Sequence, residues 1–164
     1  MEDIATAAAQ YLTFTLGGEQ YALEVVHARE VLPDRPLTVI PRMPAHMKGI
    51  INIRGRVVPV VDLRTKFGME EGDATSERSI IVVEISSPSG TERVVLGCRA
   101  DSVQEVVEID EETVEPPPAF GSSVDVRFIR GIGKRDGIFV ILLDIDELFR
   151  DDEIARLEPV EPVA

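Results

Sequence analysis

The sequence predicts an all-β protein of two small β-barrels packed together, about five short strands to each, with brief helices and one helix near the C-terminus. Three observations carry that prediction. The apolar residues come in strand-length runs, several of them alternating, cut by Gly and Pro. The stretch Met47 to Leu63, two apolar runs about a tight turn at Arg54-Gly55, returns as Gly131 to Ile145. With Gly49 laid on Gly131, an offset of 82 (131 − 49), Gly49/Gly131, Ile50/Ile132, Gly55/Gly137, Asp62/Asp144 and Phe67/Phe149 are identical without a gap. The apolar pairs Val57/Phe139, Val58/Val140, Val60/Leu142 and Val61/Leu143 fall between them, so one supersecondary unit is used twice. Finally, barrel closure removes the sheet edges that so much Val and Ile would make hazardous.

Taken in order, residues 1–10 read as an unpacked, flexible leader. Tyr11 to Leu16 alternates, with Leu12, Phe14 and Leu16 on one face, as a half-buried strand does. Gly17-Gly18 reverses the chain and Gln20 to Leu23 returns. From Glu24 to Leu32 a short helical turn leads into a strand, with Val25, Val26, Ala28 and Val31 facing a core. Pro33, Pro36, Pro41 and Pro44 bracket Leu37 to Ile40 as a loop. In the repeated stretch Pro59 removes a ladder donor, which places its strand at an edge or a bulge. Asp62 N-caps a short helix, Leu63 to Phe67, that Gly68 ends. The polar segment Met69 to Glu77 separates two halves, 11–70 and 77–156, of a single domain spanning 11–156.

The second half opens with the β-branched run Ser79 to Ile85, turns at Pro88-Ser89-Gly90, returns over Arg93 to Cys98 and continues with Val103 to Ile109. There the repeat has an offset of 75 (105 − 30), placing Glu105 on Glu30, Val106 on Val31 and Val107 on Leu32. The difference from 82 is 7, and it falls in one place, the loop Asp110 to Ser123 with its three prolines, where insertions cost little closure entropy. Asp136-Gly137 is a strong type I′ turn signal, and its match at Arg54-Gly55 implies the same turn there. A helix starts near Asp144 or Asp146 and runs to about Leu157; residues 157–164 form a loose tail.

The composition narrows the function. With 44% hydrophobic residues the chain can bury a substantial core. A formal net charge of −13, from 17 Lys+Arg against 30 Asp+Glu, repels phosphate backbones and anionic lipid, which argues against nucleic acid and membrane surfaces. The single cysteine, Cys98, excludes an internal disulfide and a Cys-based zinc site and suits a reducing compartment. No apolar run reaches bilayer-spanning length and no secretory leader is legible, so the expected location is the cytoplasm. His27 and His46 each stand without a motif partner. Gly131-Ile132-Gly133-Lys134 lacks the spacing, and the Ser or Thr after Lys, that a phosphate loop needs, and it lies in a hairpin. Glu111-Glu112 and Asp151-Asp152-Glu153 have no calcium-loop spacing and read as solvated faces. Nothing assembles a nucleophile, a base and a stabiliser, so the expectation is a non-enzyme with no cofactor and no metal.

At Lys48 to Lys66 the residues point to a family. Lys48-Gly49, Asn52-Ile53-Arg54-Gly55, Val58-Pro59-Val60-Val61-Asp62-Leu63-Arg64 and Lys66-Phe67 closely resemble the signature of CheW, the bacterial chemotaxis coupling proteins. The resemblance runs from about Tyr11 to Arg150 and takes in Gly97, Val103-x-x-Val106, the proline loop ending at Phe120, and Gly131-Ile132-Gly133. It implies two SH3-like five-stranded barrels around a shared interface. It also implies an adaptor, monomeric when free, that binds the cytoplasmic tips of methyl-accepting chemoreceptors and the regulatory domain of a CheA-type histidine kinase at membrane-associated arrays. Carried over residue by residue, Ala28, Glu30, Gly97, Val103 and Val106 line or shape a groove for the receptor's helical hairpin. Arg54 sits at the junction of receptor and kinase contacts, in a salt bridge with Glu30. Ile40, Pro41 and Arg42 join Arg54, Gly55 and Arg56 as the main kinase contact. A second, ring-closing contact uses Phe120 with an Arg five positions earlier; here that position is Glu115, a charge reversal.

Two other readings stand beside this one. The same adaptor role in a pilus-motility or developmental pathway fits the residues equally well. A small-barrel ligand or nucleic-acid binding module is a different class, and the acidic charge and the lack of a basic aromatic strip count against it.

Overall fold

The computed structural model describes residues 8–73, 75–86, 92–117 and 125–150. Among these residues ten strands run in the order β1 (Ala8–Leu16), β2 (Glu19–Glu24), β3 (Ala28–Pro33), β4 (Met47–Ile53), β5 (Arg56–Asp62), β6 (Ser79–Ser86), β7 (Arg93–Ala100), β8 (Ser102–Asp110), β9 (Ile129–Arg135) and β10 (Ile138–Leu143). A short helix α1 (Leu63–Lys66) follows β5, and α2 (Ile145–Arg150) follows β10. β1 takes in Ala8 to Gln10, so the first strand starts upstream of the alternating run. The expected extension of α2 to Leu157 lies outside the described residues.

The strands form two five-stranded sheets, β8-β1-β2-β10-β9 and β3-β6-β7-β5-β4, hereafter sheet A and sheet B. Their orders are the same when β1 is matched to β6, β2 to β7, β3 to β8, β4 to β9 and β5 to β10. The repeat is therefore real at the level of hydrogen bonds, but the sequence halves are not the sheets. Each half gives its first two strands to one sheet and its last three to the other. The halves meet at the parallel pairings β2–β10 and β5–β7 and at the antiparallel pairings β1–β8 and β3–β6.

Equivalent contacts recur in detail. The amide of Asp62 donates to the carbonyl of His46 at 2.8 Å, and the amide of Asp144 donates to that of Phe128 at 2.8 Å. Asp62 caps α1 by accepting from the amides of Arg64 and Thr65, and Asp144 accepts from the amide of Glu147. Gly49 and Gly131 are identical for a steric reason. A Cβ on Gly49 would lie 2.5 Å from the Thr38 carbonyl, and one on Gly131 would lie 2.3 Å from Val114 Cγ1. In both places a loop bridges the edge strand, Thr38 to Ile50 and Glu115 to Ile132. That second match has an offset of 77 (115 − 38), so the extra residues are not gathered in one place. Two precede Glu115 and five follow it.

Three apolar clusters explain why strands such as β6 carry unbroken apolar runs: the sheets are buried on both faces. Ile51, Ile53, Val58, Val60, Ile80 and Val82 fill the inside of sheet B. Tyr11, Ala22, Val107, Ile109, Val140 and Leu142 fill the inside of sheet A. A larger shared core, including Phe14, Tyr21, Leu23, Val61, Phe67, Ile81, Leu96 and Phe149, lies between the sheets. Each sheet thus wraps a core of its own while its outer face contributes to a common one, as expected of paired small barrels.

Three expectations are corrected. Pro59 is on β5, an interior strand; its ladder with β7 begins at Val60, so the missing donor falls just before the parallel pairing. Val26, in the 3-10 turn Val25–His27, is 79% exposed rather than core-facing. Val31 is also an exposed residue, for a reason that bears on the site.

Candidate functional site

The equivalent strands β3 and β8 are both edge strands. Val31 pairs across the ladder with Ile81, and Val106 with Leu12, and both partners belong to the shared core. Cross-strand partners point to the same face, so Val31 and Val106 face the side of the shared core. Because they stand on the outermost strands they remain 42% and 50% exposed. Ala28 and Val103, earlier on the same two strands, are half-buried and pack against that core. The result is an apolar strip over a rigid floor, contributed by corresponding positions of the two repeats. Val31 is the residue the sequence reading sent into the core; its match to Val106 was the signal that it belongs to the strip.

Glu30 and Gly97 do not line this strip. Glu30 pairs with Val82, whose side chain fills the inside of sheet B, so Glu30 leaves β3 on the opposite face from Val31. Gly97 is buried, and a Cβ there would meet Ile80 Cγ2 at 2.9 Å and Val60 Cγ2 at 3.2 Å. It shapes sheet B from within, where only a glycine leaves room for those two neighbours.

Arg54 reaches Glu30 over the mouth of sheet B. Its Nη2 donates to Glu30 Oε2, and Nη1 lies 3.4 Å from Oε1. The β4–β5 turn places it: Arg54 at φ 49° and Gly55 at φ 85° give the type I′ geometry, and the Gly55 amide donates to Asn52 Oδ1 at 2.9 Å. The hydrogen bond from Arg54 holds the Glu30 carboxyl below the ordinary carboxylate range, helped by the charges of Arg29 and Arg35, while burial pulls the other way. The same bond raises Arg54. The pair is therefore charged throughout the neutral range and presents a fixed, exposed guanidinium.

Beside it, Arg56 and Gly55 are exposed at the hairpin tip. Ile40 packs against the shared core, while Pro41 and Arg42 are exposed and Arg42 holds φ 64°. Val39, next to them, is 75% exposed and was not singled out by any sequence motif. Because the bridge from Thr38 to Ile50 is antiparallel, Val39 to Arg42 run toward the Met47 end of β4, while the Arg54-Gly55-Arg56 tip lies past its other end. Glu115 is exposed, its backbone tied to Ile132; Phe120 lies outside the described residues.

The chemistry of reactive groups is quiet. Burial pushes the Cys98 thiol up to about 12, so it is not a thiolate at neutral pH. His27 Nδ1 is 3.2 Å from the Glu84 carbonyl and Nε2 is 3.7 Å from the Asp146 carboxylate, which ties α2 to sheet B. Among the described residues no three His, Cys, Asp or Glu are grouped to hold a metal, and no helix is long and apolar enough to cross a membrane.

A model of the CheW-like domain family matches residues 10–153. The chain is 31% identical to a probable chemotaxis protein CheW of Rhizobium etli, over 88% of this chain and 89% of that protein. It is 31% identical to the chemotaxis protein CheW of Klebsiella aerogenes, over 94% and 90% of the two chains. The crystal structure of the scaffolding protein TtCheW from Thermoanaerobacter tengcongensis superposes with a TM-score of 0.76 at 36% identity, covering 86% of this chain and 87% of that one. Sequence and shape agree over the same span, and the chain accordingly belongs to the CheW-like family, a family of non-enzymatic scaffolds in chemotaxis.

Proposed function

We propose that this protein couples chemoreceptors to a CheA-type histidine kinase in the cytoplasm, at membrane-associated receptor arrays. The observation that carries the reading is the strip of Ala28, Val31, Val103 and Val106. Two exposed valines on edge strands, above half-buried small and apolar neighbours, suit the apolar face of an amphipathic helix, and the rigid core beneath limits the cost of reorganisation. The receptor's helical hairpin tip is the partner of that chemistry. The loop of Val39, Ile40, Pro41 and Arg42 and the Arg54-Gly55-Arg56 tip, toward opposite ends of β4, form the surface offered to the kinase regulatory domain; exposed apolar residues beside arginines suit a modest, reversible interface. Arg54, held by Glu30, sits at its margin and orients the partners rather than stabilising the fold. Glu115 bears on a second kinase contact with Phe120, where its charge favours a basic partner.

Calorimetric titration of the protein with a receptor-tip hairpin and, separately, with the kinase regulatory domain tests the reading directly. Saturable binding of both is expected. Arg54→Ala is expected to leave the melting temperature unchanged and to weaken assembly of the three-component complex by about tenfold. Absence of binding to both partners at micromolar concentrations would defeat the proposal.

A further inference from the structure

The two sheets have equivalent mouths, and only one of them is closed. In sheet B, Ile53 is buried at the mouth, Leu32 and Val58 lie below, and Arg54 and Glu30 pair across it. The same stations in sheet A are Arg135, Asp136, Val107, Val140 and Glu105. There the mouth is an open cavity of about 120 Å³, lined by these five residues with Thr13, Gln20, Gln104 and Ile138. Two exchanges open it: the apolar plug Ile53 becomes Arg135, and the closing arginine becomes Asp136. Among the described residues Glu105, Asp136 and Arg135 make no ion pair. Two carboxylates therefore face one guanidinium in the cavity, above an apolar floor.

We propose that this cavity receives an arginine side chain of a partner protein, which takes in trans the place that Arg54 fills in cis in sheet B. A planar guanidinium head is smaller than the benzene that cavities of about 150 Å³ accommodate. Its fork addresses Glu105 and Asp136 together, as a lysine ammonium does not. The aliphatic stem lies on Ile138, which is 56% exposed at the rim. Thr13 does not compete for the guest, because its hydroxyl donates to the Glu105 carbonyl at 2.9 Å and accepts from the Glu105 amide at 3.2 Å. That closure also fixes the backbone from which Glu105 projects. Arg135 opposes the guest and so sets a modest affinity. The site is separate from the apolar strip and does not depend on the receptor and kinase assignment.

The test is an NMR titration of the isotope-labelled full chain with N-acetyl-arginine amide, and with N-acetyl-lysine amide as competitor chemistry. Expected are saturable shifts at the amides of residues 104–107 and 135–138, with the lysine compound weaker by about tenfold. Glu105→Gln is expected to weaken arginine binding by about tenfold, and Arg135→Gln to strengthen it. Asp136→Arg, which rebuilds the arrangement of sheet B at a turn position where Arg54 already holds a φ of 49° and Asp136 one of 51°, is expected to close the cavity and abolish binding. Unsaturable shifts, or the same titration in Asp136→Arg with amide dispersion elsewhere unchanged, would overturn the proposal. So would concentration-dependent shifts of these amides in the protein alone, because they assign the cavity to a second copy of the chain.

Discussion

The β4–β5 end of the molecule and the β9–β10 end share a backbone and carry opposite chemistry. Both hairpins turn through two left-handed residues, Arg54-Gly55 and Asp136-Gly137, both lead into a helix capped by an aspartate, and both pack a loop against a glycine. What differs is the outermost shell: Ile53, Arg54 and Arg56 at one end, Arg135, Asp136 and Ile138 at the other. Steric and hydrogen-bonding requirements of the fold constrain the inner positions of both repeats alike, while the tips are free to diverge toward different partners. Fold and recognition are thus written in separate layers of the same unit.

The comparison is broken most forcefully in the shared core. Phe67 and Phe149 are equivalent plugs, both almost wholly buried. Replacing either with Ala is expected to cost about 3–5 kcal/mol, read from the denaturant midpoint. A large loss at one and none at the other would mean that the two helices are equivalent in sequence but not in packing. Next comes the glycine pair. Gly49→Ala meets a backbone carbonyl, whereas Gly131→Ala first meets the side chain of Val114, which can rotate. Losses of about 3 and about 1 kcal/mol are expected on the same measurement.

A smaller effect is expected where the sheets are stitched together. Arg64 donates to both carboxylate oxygens of Asp101 at 2.7 Å, and Asp101 also accepts from the Gly17 amide at 2.8 Å. Burial alone would raise the Asp101 carboxyl, but Arg64 and the Gly17 amide hold it below its ordinary value. A depressed carboxyl stabilises the fold above the unfolded pKa, about 3.9, and that contribution is lost as the pH falls through the folded value. Asp101→Asn is expected to cost about 1–2 kcal/mol at neutral pH, with the gap to the wild type narrowing below about pH 4 in urea melts. The smallest effect on stability is expected at the strip. Val31→Asp and Val106→Asp lie on the surface and should change the melting temperature little, yet each should weaken receptor-hairpin binding by about tenfold or more. Loss at only one of them would show that the guest lies along a single edge strand.

Local features were legible because local physics decides them. Asp62 before an apolar helix, Asp136-Gly137 between two runs and the alternation from Leu12 to Leu16 each imply their geometry without reference to the rest of the chain. The repeat spacing went further and matched β4 to β9 and β5 to β10. What it did not reveal was which strands pair, because a hydrogen-bonded edge accepts any strand of fitting pattern. Which strand completes which barrel was therefore not legible, and the halves exchange strands between the sheets. The same blindness explains Pro59, which reads as an edge residue although its strand is interior, and Gly97, whose role is set by Ile80 and Val60 from other strands. In the site, the Arg54–Glu30 pair and the apolar character of Val103 and Val106 were expected from family resemblance. Val31 was expected to face the core and Val39 carried no expectation, since a short apolar run does not distinguish the residue over the core from the one at the rim.

The exchange of strands between the repeats has a consequence for how the chain is cut and joined. A fragment ending near residue 77 would own two strands of one sheet and three of the other, completing neither, so its natural complement is the missing piece or a twin of itself. Two such pieces supplied together should zip into the intact arrangement, which makes the acidic connector between α1 and β6 the place to split this protein for a reassembly reporter.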